Sequence, residues 1–139
     1  MKMIFGGLLL AALSATPSNA TVVITNDPGG RIEDYVKRLS SLRAQGEEFI
    51  IDGPCISACT LIVAIIPLKR VCATGRSTLG FHAAWNPGWF GQQVPNAEAT
   101  RALMKRYPRH VRRVIAKNGG LTSKMFFVSA AEVGISQCR

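Results

Sequence analysis

The chain begins with a short apolar run, Ile4 to Leu13, behind a single lysine, Lys2. After that, brief apolar stretches alternate with amphipathic ones. Thr21 to Thr25 is β-branched and predicts a strand, which Asn26-Asp27-Pro28-Gly29-Gly30 breaks. Ile32, Tyr35, Val36, Leu39 and Leu42 recur at helical spacing with charged residues between them, and Gly46 can end that helix. Glu48 to Asp52 predicts a second strand, stopped by Gly53-Pro54. Ser57 to Ile66 carries no charge and ends at Pro67, the pattern of a buried helix of ~10 residues. Arg70 to Thr74 predicts a third strand, and Ser77 to Ala84 contains a fourth that carries His82. Trp85 to Pro95 reads as a loop. Ala97 to Lys117 is helical and basic, with Pro108 placed to kink or interrupt it. Asn118-Gly119-Gly120 closes that helix, and residues 121–139 hold a short amphipathic piece and an extended segment near Ile135 to Cys138.

Strands alternating with helices predict an α/β fold with crossover units and a mainly parallel sheet flanked by helices. A length of 139 residues fits a single small domain. With 47% hydrophobic and 18% charged residues the chain can build a core and is not of disordered type.

The first 20 residues predict a secretory signal. The apolar run is about half the ~20 residues a membrane span needs, and Ser18-Asn19-Ala20 supplies a small-residue cleavage site. The expected boundaries are a signal peptide at 1–20 and an α/β domain at 21–139, with no transmembrane anchor after cleavage. The expected location is outside the cytoplasm, in a bacterial periplasm. Lys2 is the one charged residue in the signal, so the formal charge of +9 falls by one on processing.

Export changes the meaning of the four cysteines, Cys55, Cys59, Cys72 and Cys138. They contain no CxxC pair, and neither histidine is spaced to join them, so no metal site and no cofactor is expected. An oxidising compartment favours two disulfides, for which three connectivities are open.

Two strand-to-helix turns carry candidate chemistry. Pro28-Gly29-Gly30 occupies the first, and Ser57 the second, within Cys55-Ile56-Ser57-Ala58-Cys59. His82 follows in Leu79-Gly80-Phe81-His82. At the carboxyl edge of a parallel sheet such turns converge on one crevice. A serine opening a helix has unpaired N–H groups beside it, a glycine pair lets a loop approach a developing oxyanion, and a histidine in reach can take the serine proton. Each piece also has a plainer role: helix N-cap for Ser57, turn residues for the glycines, a hydrogen-bonded strand residue for His82.

In order and spacing these segments resemble the superfamily of the Clp protease proteolytic subunit and the crotonases. Ile24 to Gly30 is similar to its strand followed by Pro-Gly-Gly, Ser57-Ala58 to its nucleophile turn, and Leu79 to His82 to its strand with the catalytic histidine. Phe127 to Ile135 is similar to its closing helix and strand. The Cys-Ile-Ser-Ala-Cys form is closest to uncharacterised exported bacterial members. The resemblance implies Ser57 as nucleophile, His82 as base, and the backbone N–H groups of Gly30 and Ala58 as oxyanion donors. By placing the strands, it also implies the pairs Cys55–Cys59 and Cys72–Cys138, with Cys55–Cys138 and Cys59–Cys72 as the rival set.

The pattern departs from that family at the third triad position. The matching stretch, Thr122-Ser123-Lys124-Met125, contains no acid, and Asp27, Asp34 and Asp52 all precede Ser57. Two expectations therefore stand side by side: a serine hydrolase acting on a peptide or ester by acyl transfer through a Ser57–His82 dyad, and a non-catalytic periplasmic binding protein that retains the fold. Whether the chain is an enzyme stays open between them.

The basic helix adds Lys105, Arg109, Arg112 and Arg113 on one predicted face. It is a solvated surface or a dock for an anionic envelope partner. Nucleic acid is not an expected partner, since no recognition motif is present. A homo-oligomer stays open. Trp85, Trp89 and Phe90 either rim the crevice or pack as ordinary hydrophobic residues.

Overall fold

The computed structural model describes residues 19–139, so most of the expected signal at 1–20 lies outside the described residues. Strand β1 spans Thr21–Ile24 and leads through the Asp27 to Gly30 loop into helix α1, Ile32–Ala44. Ile32, Tyr35, Val36, Leu39 and Leu42 turn inward along one face of α1, as their spacing predicts, with Leu39 fully buried. Strand β2, Glu48–Ile51, follows and pairs in parallel with β1. A three-residue strand that the residue pattern does not predict comes next: β3, Pro54–Ile56.

The apolar run from Ser57 is not one continuous α-helix. Ser57–Leu61 forms a 3₁₀ segment, and only Ile62–Ile65 is α-helical, here α2. A run that is apolar all round carries no period by which to tell the two apart. Strands β4, Val71–Ala73, and β5, Thr78–Phe81, complete the central part. His82 lies just past the end of β5 rather than within it.

Trp85–Pro87 and Gln93–Pro95, β6 and β7, form an antiparallel hairpin where a loop was expected. The long basic helix is interrupted at Tyr107-Pro108, as Pro108 predicted, into α3, Ala97–Arg106, and α4, Arg109–Lys117. The chain ends with β8, Phe126–Val128, a 3₁₀ turn at Ala131–Val133, and β9, Ser136–Gln137.

The architecture is mixed α/β with mainly parallel strands, divided between two sheets and a separate hairpin. One sheet is fully parallel in the order β1-β2-β4-β9. The other has the order β3-β5-β8, with β3 and β5 parallel and β8 antiparallel. The division falls at Asp52-Gly53-Pro54. Gly53 is required there because a Cβ would lie 1.9 Å from the Thr25 carbonyl oxygen. The sheets are stitched by a parallel bridge between Asp27 and Cys55, in which Asp27 N–H donates to Pro54 O at 2.8 Å and Ile56 N–H to Asp27 O at 2.9 Å. Between the layers Phe81 stacks on Phe126 and meets the edge of Tyr107, each at 5.6 Å between ring centroids.

Both disulfides are of the implied pairing. Cys55–Cys59 closes over the turn that holds Ser57, and Cys72–Cys138 ties β4 to the chain end beyond β9. Among the described residues no cysteine is free, no helix is long and apolar enough to cross a membrane, and no three His, Cys, Asp or Glu side chains gather as a metal site.

Candidate functional site

Register brings Ser57 and His82 to one edge. In the parallel pair β3–β5, Ile56 lies opposite Gly80. Ser57 follows Ile56 directly, and His82 lies two residues beyond Gly80, so both leave the carboxyl ends of adjacent parallel strands. Both are half-buried. No hydrogen bond joins them.

Ser57 is the non-glycine residue with positive φ among the described residues, at 59°. A left-handed conformation costs a residue with a Cβ about 1–2 kcal/mol, and serine has no special tolerance for it. The position is not a helix cap: Ile56 is the capping residue of the 3₁₀ segment, and no side chain caps it. The plainer role considered for Ser57 is therefore not the one it has. Strain of this kind persists only where the surroundings hold it in place, and three constraints do so. The Cys55–Cys59 disulfide brackets the turn. Thr60 donates its hydroxyl to the Ser57 carbonyl at 2.6 Å. Since that proton is thereby committed, Tyr107 donates its own hydroxyl to Thr60 Oγ1, also at 2.6 Å. Thr60 and Tyr107 are both buried, and burial pushes the Tyr107 pKa above the ordinary phenol range.

The glycine loop closes on the same turn. Gly29 has φ 85°, and a Cβ there would sit 2.6 Å from Ile56 O, 2.6 Å from Ser57 Cβ and 3.0 Å from Ala58 N. Its backbone thus lies directly against Ser57 and Ala58. Asp27 shapes this loop: one carboxylate oxygen accepts from Gly29 N–H at 2.9 Å and from the Tyr35 hydroxyl, and the other pairs with Arg38 at 3.3 Å. Burial first, and then the bond to Asp27, raise the Tyr35 pKa to about 12. Gly30 N–H has no partner among the described residues. The Ala58 N–H, in the first turn of the 3₁₀ segment, has none to expect within it. A groove of about 410 Å³ runs beside the loop, bordered by Asn26, Asp27, Tyr35 and Cys59.

The His82 ring makes one bond, from Nδ1 to the Ala83 carbonyl at 2.7 Å. A carbonyl only accepts, so Nδ1 carries the hydrogen and Nε2 of the neutral ring is left as an acceptor. This contact was not visible in the sequence, because the partner is backbone.

The segment Thr122 to Met125 lies beside this histidine, since Ala83 N–H donates to Thr122 O at 2.7 Å. It presents no carboxylate. Asp52, Asp34 and Glu132 have other partners. Asp52 pairs with Arg76 and accepts from Thr74, with the Arg76 bond chiefly holding its pKa below the usual range. Asp34 pairs with Arg31 on the surface. Glu132 accepts from the Ser129 N–H and hydroxyl, which lower its pKa. The register of β8 on β5 sets Phe126 against Phe81 and Val128 against Leu79, so Ser129 comes level with the start of β5 and Glu132 lies past it, at the end opposite to His82.

Of the basic residues, Arg109, Arg112 and Arg113 border a shallow hollow of about 260 Å³ on α4. Lys105 is separated from them by the break at Tyr107-Pro108 and does not border it. His110 points the other way, its Nε2 donating to Val133 O at 3.1 Å.

No protein-family model matches the chain, and no curated protein matches it. Among solved structures the chain is similar to the ClpP1 N165D mutant from Listeria monocytogenes at 16% identity and a TM-score of 0.48, over 88% of this chain and 77% of that one. The chain's own geometry defines a small mixed α/β domain whose strained serine and whose histidine share the carboxyl edge of two parallel strands.

Proposed function

We propose that the protein is an exported serine hydrolase acting by acyl transfer on a peptide or ester, with Ser57 as nucleophile and His82 as base. The observation that carries this reading is the positive φ of Ser57 at the end of β3, one strand away from His82. A strained strand-to-helix turn lifts a serine hydroxyl out of the sheet edge for attack. His82 Nε2, the free acceptor, takes the proton. The N–H groups of Gly30 and Ala58 flank the turn and receive the developing oxyanion. Two disulfides support an oxidising compartment, which agrees with the signal-like first 20 residues and a periplasmic location.

One observation favours the alternative, a binding protein that retains the fold: no carboxylate accompanies His82. A fluorophosphonate probe separates the two. The oxidised protein should label at Ser57 across about pH 6–9, where histidine bases change state, and Ser57→Ala should not label. Absence of Ser57-dependent labelling throughout that range leaves the binding reading.

A further inference from the structure

The hairpin of β6 and β7 has no role in the acyl-transfer reading. Its tip carries Trp89 and Phe90, which are 98% and 95% exposed. Neither rims a crevice nor packs on a neighbour. Large aromatic side chains left this bare on a folded surface mark a contact with something else.

The rest of the hairpin is built to make its tip apolar. From Ala83 to Asn96 there is no charged residue. Three of the tip's backbone N–H groups are paired within it. Gly88 N–H donates to Gln92 O at 2.7 Å, Gly91 N–H to Gly88 O at 3.0 Å, and Phe90 N–H to Gln92 Oε1 at 2.9 Å. The Gln92 side chain folds back over Gly88, so its amide oxygen is turned inward. Each amide paired in this way lowers the cost of moving the tip out of water. Tryptophan and phenylalanine are side chains of choice at a bilayer interface.

Charge identifies the surface that suits it. The chain is strongly cationic, at +9. The hairpin root is flanked by Arg101, next to Thr100, whose hydroxyl accepts from Ala84 N–H, and by Lys124, two residues after Thr122, whose carbonyl accepts from Ala83 N–H. Glu98, in the first turn of α3, is the opposing charge there. An uncharged aromatic tip with a net basic root matches the hydrocarbon boundary and anionic headgroups of a lipid surface.

We infer that the β6–β7 hairpin is a membrane-docking finger that inserts Trp89 and Phe90 into the interface of an anionic lipid bilayer. His82 lies three residues before Trp85, so docking sets the sheet edge of Ser57 and His82 near that surface. The inference does not depend on catalysis, and Ser57→Ala should leave it unchanged.

The test uses the full chain with Trp85→Phe, which leaves Trp89 as the one tryptophan. On vesicles of phosphatidylglycerol and phosphatidylcholine its emission should shift to the blue and be quenched by lipids brominated in the upper acyl chain. On phosphatidylcholine alone, or in high salt, both signals should weaken. Because this readout follows Trp89 itself, an attachment through the apolar first residues does not imitate it. Trp89→Ala with Phe90→Ala should leave the melting temperature unchanged. In the chain purified after processing, it should lower vesicle partitioning by roughly a hundredfold, from about 1.5 kcal/mol of burial for each ring. Trp89 emission that stays red and unquenched on vesicles overturns the proposal, as does equal insertion into phosphatidylcholine alone. A dimer lost in the double variant, without lipid insertion, assigns the aromatics to a second copy and also overturns it.

Discussion

Replacing Gly29 by alanine tests both the packing and the site in one change. The residue has φ 85°, where a Cβ costs about 1–2 kcal/mol. The new methyl would also lie 2.6 Å from Ile56 O and 2.6 Å from Ser57 Cβ. Neither neighbour is the free end of a flexible side chain. Ile56 is held by its N–H bond to Asp27 O, and Ser57 by the disulfide around it. Overpacking of this kind adds about 1–3 kcal/mol. The expected loss is therefore about 2–5 kcal/mol, a large share of the roughly 5–15 kcal/mol a small domain has. It should appear as a lower urea midpoint at an unchanged slope. If the loop instead yields and shifts by about 1 Å, fluorophosphonate labelling of Ser57 should fall about a hundredfold. Gly75→Ala is the control: nothing lies within 4 Å of its Cβ position, so its midpoint should stay or rise slightly. A Gly29→Ala protein within about 0.5 kcal/mol of the parent, labelling at the parent rate, refutes the reasoning. One that is destabilised as expected yet labels normally keeps the packing and removes Gly29–Gly30 from the site.

Ser57→Gly should relieve the positive φ and, after the entropy cost of glycine, raise stability by about 0.5–1 kcal/mol while abolishing labelling; a lower urea midpoint would show that the conformation is not strained. Removing Cys72–Cys138, which closes a separation of 66 residues, should cost about 4 kcal/mol, against about 2 kcal/mol for Cys55–Cys59 with its separation of 4; paired Cys→Ala variants in urea give the order, and only the second pair should also change Ser57 labelling. The chain has two tyrosines, Tyr35 and Tyr107, both with raised pKa values. Above the ordinary value of 10.0 the unfolded chain loses protons that the folded chain keeps, so stability present below pH 10 should decline as pH rises toward 12. Absorbance at the tyrosinate band should stay low near pH 10 while the protein is folded, and a full tyrosine's ionisation there contradicts the burial of Tyr107 or the bond from Tyr35 to Asp27.

α1 was legible from its helical period, and β1 and β2 from short apolar runs ended by turn residues. Pro108 breaks the basic helix because it removes an N–H whatever the tertiary context. β3 was hidden because Pro54-Cys55-Ile56 is too short for alternation to register and follows a Gly-Pro stop. The β6–β7 hairpin was hidden by Pro87 and Pro95, which a central strand could not hold but a two-stranded ribbon tolerates. At the candidate site, Ser57, His82 and the glycine pair were legible as residue types in order. The φ of Ser57, the buried Tyr107–Thr60 support and the Ala83 carbonyl were not, since each is set by backbone geometry or by residues distant in sequence.

The Ala83 carbonyl also bears on which substrates such a site could turn over. It fixes the His82 tautomer and the plane of the ring, two of the tasks a triad carboxylate performs. It has no net charge, so it stabilises the imidazolium formed during attack far less than a carboxylate would. Disabling the carboxylate of an established triad costs about 10⁴ in rate with the geometry intact, though there the tautomer is lost as well. Here the tautomer is kept, so the shortfall should come from the missing charge alone. That shortfall weighs most where the leaving group needs a proton from the imidazolium, as an amide does, and least where it departs unaided, as from an activated ester or fluorophosphonate. A protein that labels at Ser57 and cleaves activated esters, but turns over amides slowly, is therefore the outcome this geometry favours.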